Sequence, residues 1–390
     1  MCGLCLPHCP TYLQTRNEAE SPRGRIALMN ALWQNKLEME PHLEQHLENC
    51  LTCRACEAAC PSGVKYGSLI DQTKQKLREQ HPPKGLVKLV LNNIQPSRSR
   101  LRASSLLVWL YQVLGIRKLA QLFGIFSANS RLKRLDHYLP KPQRPAVWRS
   151  YYSTQGAHKK DVSLFTGCAT ENIDPNTLRA TIKVLTHAGF GVHIPSSQNC
   201  CGAIHQHTGD HDTALTLMKK NTNAFNTPEV ISVATGCASM LAEYPKHLDN
   251  PPGWQTIDIL DFLLRENALE DIQFAALKKR IAVHTPCSMT NVLKLKQTSY
   301  QALSHIPEIE LSPLNSNNIC CGAAGSYMLN KPDMADALLN NKLNDINEIQ
   351  PDMVVTSNIG CAIHFMAGLK NKDPNIPVLH PITLLAQCLP

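Results

Sequence analysis

Apolar residues in the C-terminal half of the chain follow two alternating rhythms. A short β-rich run leads into Cys168 (Val162-Ser-Leu-Phe-Thr-Gly) and another into Cys287 (Ile281-Ala-Val-His-Thr-Pro). Helical spacing follows each, through Leu178, Ile182 and Leu185 in the first and Leu293, Tyr300 and Leu303 in the second. A second strand is predicted at Gly191-Val-His-Ile194 and at Ile309-Glu-Leu311, each running toward a Cys-Cys-Gly turn. The segments Thr256-Ile-Asp-Ile-Leu-Asp and Val378-Leu-His-Pro-Ile-Thr then lead into apolar helices. Strand alternating with helix predicts α/β domains with a mainly parallel sheet. Upstream, Leu106-Leu-Val-Trp-Leu-Tyr-Gln-Val-Leu114 reads as an apolar helix with Arg and Lys on its flanks. No apolar stretch reaches the roughly 18–20 residues needed to cross a bilayer.

These elements repeat at an offset of about 120 residues, too long a period for a solenoid, so they describe a duplicated domain. Each copy carries four cysteines: Cys168, Cys200, Cys201 and Cys237, then Cys287, Cys320, Cys321 and Cys361. In such sheets, sites form in the loops at strand C-terminal ends. Each cysteine position follows a predicted strand, so four thiols can converge on one point. The competing reading, buried cysteines acting as small apolar residues, explains one cysteine better than the same four-cysteine pattern twice. Gly202 and Gly322 follow the paired cysteines, where a tight turn or close backbone approach favours glycine.

Composition sharpens the chemistry. Of 390 residues, 43% are hydrophobic and 18% charged, which excludes disorder as the dominant state. Residues 1–15 lack the basic and long apolar regions of a signal peptide, so a cytoplasmic location is expected. A cytosolic chain keeps thiols reduced, and its 16 cysteines therefore point to metal or cluster binding and not to disulfides.

The run Cys50-x2-Cys53-x2-Cys56-x3-Cys60-Pro61 has bacterial ferredoxin spacing, in which three thiolates hold one [4Fe–4S] cluster and the cysteine before proline reaches the other. Zinc sites rarely use such a run. Cys2, Cys5 and Cys9-Pro10 repeat its last three cysteines. The crossover rule assigns Cys50, Cys53, Cys56 and Cys9 to one cluster, and Cys2, Cys5 and Cys60 to the other with one ligand missing. Either translation begins a few residues upstream, with a cysteine three positions before Cys2, or that cluster is three-iron or uses a non-cysteine ligand. Two [4Fe–4S] clusters are expected, with a further iron–sulfur centre open in the duplicated domains.

Between Gln80 and Leu135 lie Lys84, Lys88, Arg98, Arg100, Arg102, Arg117, Lys118, Arg131, Lys133 and Arg134, without a single Asp or Glu. That local excess exceeds the +8 of the whole chain. Basic flanks beside an apolar helix bearing Trp109 and Tyr111 suit attachment to anionic lipid or docking on a partner. A connector helix with solvated flanks explains them equally, and no nucleic-acid recognition motif is present. His205 is a candidate for proton handling or cluster tuning, and Arg23 and Arg25 for raising a cluster's potential.

Together, Cys5-x3-Cys9-Pro-Thr-Tyr12, Ser21-Pro-Arg-Gly-Arg-Ile26, the 50–63 run, Cys200-Cys-Gly-Ala-Ile-His-Gln-His207 and Cys320-Cys-Gly-Ala-Ala-Gly-Ser326 resemble the iron–sulfur subunits of glycolate oxidase. More broadly they resemble proteins with two cysteine-rich CCG domains. The resemblance implies an α-helical ferredoxin-like domain at 1–80, a basic connector at 81–160, and duplicated α/β CCG domains at 161–265 and 280–390. It implies an electron-transfer subunit that takes electrons from a flavin-containing subunit oxidising glycolate to glyoxylate. Those electrons then pass toward a quinone-type acceptor, from a peripheral position on the inner face of the cell membrane. No Gly-x-Gly-x-x-Gly is present, so no flavin is expected on this chain. Alternatives are an autonomous CCG-type reductase, or the iron–sulfur subunit of a lactate or glycerol-3-phosphate dehydrogenase. Many CCG domains end in Cys-x-x-Cys, whereas Met240 and His364 hold the last position here.

Overall fold

A computed structural model describes residues 2–82, 93–123, 130–370 and 372–390. The side chains of Lys84, Lys88 and Arg131 lie outside the described residues. Strands β1 (Tyr151–Tyr152), β2 (Lys160–Phe165), β3 (Phe190–His193), β4 (Glu229–Ser232) and β5 (Gln255–Asp258) form one sheet in the order β1-β3-β2-β4-β5. Strands β6 (Arg280–His284), β7 (Glu310–Pro313), β8 (Met353–Thr356) and β9 (Val378–Leu379) form a second in the order β7-β6-β8-β9. All pairings are parallel except β1 with β3, where Tyr151 stands opposite His193. The chain is thus α/β, as the alternating pattern predicts. The first sheet already begins at Tyr151, ahead of residue 161.

The copies share one hydrophobic core. Val162, Leu185, Phe190 and Phe262 of the first pack continuously with Ile281, Val283, Leu303 and Leu385 of the second. The helix Pro175–His187 lies against the helix Pro381–Gln387. Asp174 caps the former by accepting from the Thr177 amide, and His380 caps the latter by accepting from Ile382. With Nδ1 accepting that amide, His380 donates from Nε2 to the Val233 carbonyl of the other copy at 2.8 Å. Burial lowers its pKa to about 4, so this tie is made by a neutral ring.

One predicted helix differs. The spacing through Leu293, Tyr300 and Leu303 forms a π-helical turn, Met289–Leu293, and a separate helix, Thr298–Leu303. Lys294 adopts φ 62° at the break, a left-handed conformation incompatible with a continuous helix.

The N-terminal region packs helices Pro22–Trp33, Pro41–Glu48 and Tyr66–Gln80 around Met29, Leu32, Leu43, Leu47, Ile70 and Leu77. Each of the first two helices opens on a proline, whose missing N–H is no loss there. The connector forms the helices Arg98–Val113, Ile116–Leu122 and Ser130–Tyr138.

That connector is amphipathic in the reverse sense. Several of its polar groups turn inward: Arg98 pairs with Glu171 at 3.0 Å and Ser105 donates to the Asn172 carbonyl, while Gln112 and Arg117 bind Pro140 and Asp136 of the connector's own later part. Its apolar groups point out, with Leu107, Leu114, Leu122 and Phe123 each at least 65% exposed. The basic flank is correspondingly smaller than the sequence implied. Arg98 and Arg102 bind Glu171, and Arg134 binds Asp336, which leaves the exposed Arg100, Lys118 and Lys133 without a carboxylate partner among the described residues.

Candidate metal centres

The loop that carries the ferredoxin run is held in a constrained shape. Thr52 and Arg54 both take left-handed backbone angles, φ 51° and 59°. Such strain persists only when neighbours hold it, and the Arg54 guanidinium is clamped by Glu57 and by Glu243 of the first CCG domain. The loop turns Cys50, Cys53 and Cys56 toward Cys9 around one small void, which Arg25 and Tyr66 also line. The Tyr66 hydroxyl donates to Cys50 Sγ at 3.7 Å, and the Thr52 amide approaches it at 3.5 Å.

Arg25 is 1% exposed. It reaches the His46 carbonyl, Thr11 Oγ1, Glu20 and, at 4.0 Å, Cys9 Sγ. Burial opposes its charge, but Cys50, Tyr66, Cys9 and Glu20 outweigh that and hold it firmly protonated. Burial also pushes the Cys56 thiol up, reinforced by the charges of Cys50, Cys9 and Cys5. Four soft sulfurs around one void beside a fixed guanidinium fit an iron–sulfur cluster, whose irons would deprotonate them.

Of the second predicted set, Cys2 is exposed and Cys5 and Cys60 are half-buried. Cys5 feels the charges of Cys9 and Cys2 and accepts from the Arg23 backbone amide, while the Arg23 side chain pairs with Glu18 at 2.6 Å. Cys60 follows the turn Ala55–Ala58, which packs on the turn Leu6–His8.

In the CCG domains every cysteine follows a strand end. In the second copy, Cys287 Sγ lies 3.9 Å from Cys320 Sγ, and Cys321 Sγ 3.0 Å from Cys361 Sγ. In the first, Cys168, Cys200, Cys201 and Cys237 form a chain of thiol–thiol contacts. Gly202 and Gly322 have φ 87° and 88°. A Cβ on Gly322 would come within 2.6 Å of the Ala335 carbonyl oxygen, and one on Gly202 within 3.4 Å of that of Ala214.

The two sites have different covers. Gln95 of the connector donates to Cys200 Sγ at 3.1 Å and lines a small void with Arg98, Cys168, Glu171 and Gln198. The second site is covered by the ferredoxin loop. Cys53 is pushed up by burial and then by the neighbouring charges of Cys320 and Cys56, and Cys287 in turn feels Cys53. Asn291 donates to the Cys53 carbonyl at 2.8 Å, Tyr327 to the Asn49 carbonyl at 3.0 Å, and Lys331 pairs with Glu48.

His205 is fully buried, with Nδ1 3.1 Å from Asp210, which also binds Arg78 of the N-terminal region. Burial lowers its pKa in spite of Asp210, so the neutral ring braces the domain junction. Met240 and His364 are buried, His364 with its ring 5.7 Å from that of Tyr138. Sequence reasoning did not single out Gln95, Lys342 or the meeting of Cys53 with Cys287 and Cys320. His284 enters there only within the run that leads into Cys287, although aligning the copies already sets it against Phe165.

Comparison with known proteins bears on this arrangement. Residues 1–64 match a 4Fe-4S dicluster domain, 82–139 the linker region of the glycolate oxidase iron-sulfur subunit, and 162–242 and 281–366 a cysteine-rich domain. The chain is 31% identical over 95% of its length to a Bacillus subtilis protein described as "Probable glycolate oxidase iron-sulfur subunit", covering 88% of that protein. It is 29% identical over its whole length to the Escherichia coli glycolate oxidase iron-sulfur subunit, covering 93% of it. Lactate utilization protein A of Bacillus velezensis is 29% identical over 56% of this chain and 96% of its own. With two cysteine-rich domains behind a ferredoxin-type region and a linker of the matching kind, the chain belongs to the glycolate oxidase iron–sulfur subunit family.

Proposed function

We propose that this chain is the electron carrier of a complex that oxidises glycolate to glyoxylate. In this reading the substrate site and the flavin reside on partner subunits, and this chain relays electrons toward a membrane quinone-type acceptor. The observation that carries it is the convergence of Cys9, Cys50, Cys53 and Cys56 on one void, with Cys53 facing Cys287 and Cys320. Cys9, Cys50, Cys53 and Cys56 would hold one [4Fe–4S] cluster, Cys2, Cys5 and Cys60 would contribute to a second, and the CCG cysteines would hold further iron–sulfur chemistry. When bound, such clusters take up and release single electrons at potentials set by charge, hydrogen bonds and exposure. The chain's own part is to fix those terms. Arg25 places a buried positive charge beside Cys9, Tyr66 and Thr52 donate toward Cys50, and the 51–54 loop lies between the two cysteine sites.

An EPR-monitored redox titration of the anaerobically purified chain tests the reading. Reducible clusters in the physiological range, and reduction by the flavin subunits with glycolate, are expected. Redox-silent clusters, or turnover of a disulfide or quinone by the isolated chain with an artificial donor, would replace it with a structural role or with an autonomous reductase. The match to lactate utilization proteins makes lactate the competing substrate, which the same assay separates.

The outward apolar face of the connector, beside exposed Arg100, Lys118 and Lys133, supports a peripheral position on the anionic inner face of the cell membrane. No helix among the described residues is long and apolar enough to cross a membrane.

A further inference from the structure

The two CCG copies have the same cysteines but different surroundings. Phe165 and His284 occupy the same place, the last residue of β2 and of β6, three positions before the first cysteine. Gly202 abuts Ala214 as Gly322 abuts Ala335, which sets Asn221 of one copy against Lys342 of the other. All four side chains are almost fully buried. At both positions the second copy has the more nitrogen-rich or more positive group.

His284 is the informative one. A ring nitrogen of His284, Cys321 Sγ and Cys361 Sγ lie within 4.8 Å of one another, and all three residues are buried. His284 Nδ1 is 2.9 Å from Thr356 Oγ1, and the ring packs edge-on against Phe365 at 4.8 Å. Those contacts fix the ring, and an Nδ1–H donated to Thr356 leaves the Nε2 lone pair for a metal. In the first copy Phe165 is packed against Phe225 and offers no donor.

We propose that the second CCG domain builds its iron–sulfur centre with His284 as a nitrogen ligand alongside Cys321 and Cys361, whereas the first CCG site has cysteine ligands alone. This rests on the reading that the CCG cysteines hold iron–sulfur chemistry. With His284 bound to iron in place of one of this copy's four thiolates, the centre carries less negative charge and a higher potential than one held by cysteines alone. Lys342 acts in the same direction. Its Nζ donates to the Ser316 carbonyl beside Cys320, Cys321 and Cys361, and these thiols favour its charged form against the burial that opposes it. Of the two CCG sites, the one covered by Cys53 is then the stronger electron acceptor.

The test uses the full chain reconstituted anaerobically with iron and sulfide, with and without 15N-histidine, and pulsed EPR of redox-poised samples. We expect a directly coordinated nitrogen coupling that changes on 15N-histidine labelling and is lost in His284→Phe, with the signals of the N-terminal clusters unchanged. His284→Cys, which offers a thiolate in the same place, is expected to retain a centre that lacks the nitrogen coupling and has a lower midpoint potential. A wild-type spectrum without bound nitrogen, a coupling that survives His284→Phe, an unchanged midpoint in His284→Cys, or stoichiometric zinc at this site would each overturn the assignment. The N-terminal clusters keep the outcomes separate. If they titrate normally while the nitrogen is absent, this inference fails alone; if no cluster titrates, the electron-carrier reading fails with it.

Discussion

Arg25 and Asp258 are both buried charged residues, but only one has a full set of partners. Arg25 shares Glu20 with His46 and Asn49, so truncating it leaves a carboxylate stranded in the core. Arg25→Gln is expected to cost about 3–5 kcal/mol in chemical denaturation, and Arg25→Met with Glu20→Leu to cost much less. Asp258 accepts from the Leu260 amide through Oδ1 while Oδ2 is without a partner among the described residues, and burial raises its pKa to about 7. Between its unfolded value near 3.8 and about 7 the folded chain keeps a proton that the unfolded chain has released. Stability from this group is therefore full below pH 4 and falls as pH rises to 7, by about 1.4 kcal/mol per unit. Asp258→Asn keeps the cap and removes the charge, so thermal melts should show it gaining on the native chain at pH 8 relative to pH 5. The cysteine ligand candidates were legible because metal chemistry dictates residue type and spacing together. Asp258 was not, since nothing in a sequence states which carboxylate will lose its second partner.

Turns and helices bring a different kind of constraint. Both Cys-Cys-Gly turns need a left-handed residue, but only at Gly322 does the Ala335 carbonyl occupy the space of a Cβ. Gly202→Ala is expected to cost about 1 kcal/mol from backbone strain, and Gly322→Ala clearly more, as read by urea midpoints at constant slope. The connector helix was predictable from its periodicity, but its orientation was not. An apolar stripe normally marks the buried side, and here Glu171 draws Arg98, Arg102 and the Trp148 indole inward and turns the stripe out. Leu107→Glu with Leu114→Glu is expected to abolish sedimentation with vesicles containing anionic lipid while leaving the fold and the cluster signals intact. Arg98→Ala should instead destabilise the fold. The broken helix after Cys287 was missed for a related reason. Its apolar spacing continues through the break, while Lys294 turns the backbone so that Asn291 meets the ferredoxin loop.

At the scale of the whole molecule, duplication was plain from the repeated motifs, but its asymmetry was not. A repeat in sequence does not say what will be stacked on each copy. One copy is covered by the connector through Gln95, the other by the ferredoxin loop through Cys53. Cys50→Ala should lower the iron content by one cluster's worth and slow reduction of the second CCG site by the flavin subunits, as rapid-freeze EPR would read. Glu243→Ala, which removes the first CCG domain's hold on Arg54 while Glu57 keeps the loop in shape, should raise proteolysis between the N-terminal region and the CCG pair without changing the iron content.

The connector also ties two behaviours together. The segment whose far end presents apolar side chains to the outside begins at a glutamine whose amide is bonded to a cysteine sulfur. Hydrogen bonds to sulfur shift reduction potential, and linkage between two equilibria runs equally in both directions. On the proposed reading, in which the first CCG site holds a redox centre and the apolar face docks on a membrane, any tightening of that amide on docking would reappear as a change in docking strength when the site gains or loses an electron. The subunit would hold its surface with a grip that depends on whether it is charged with electrons or spent.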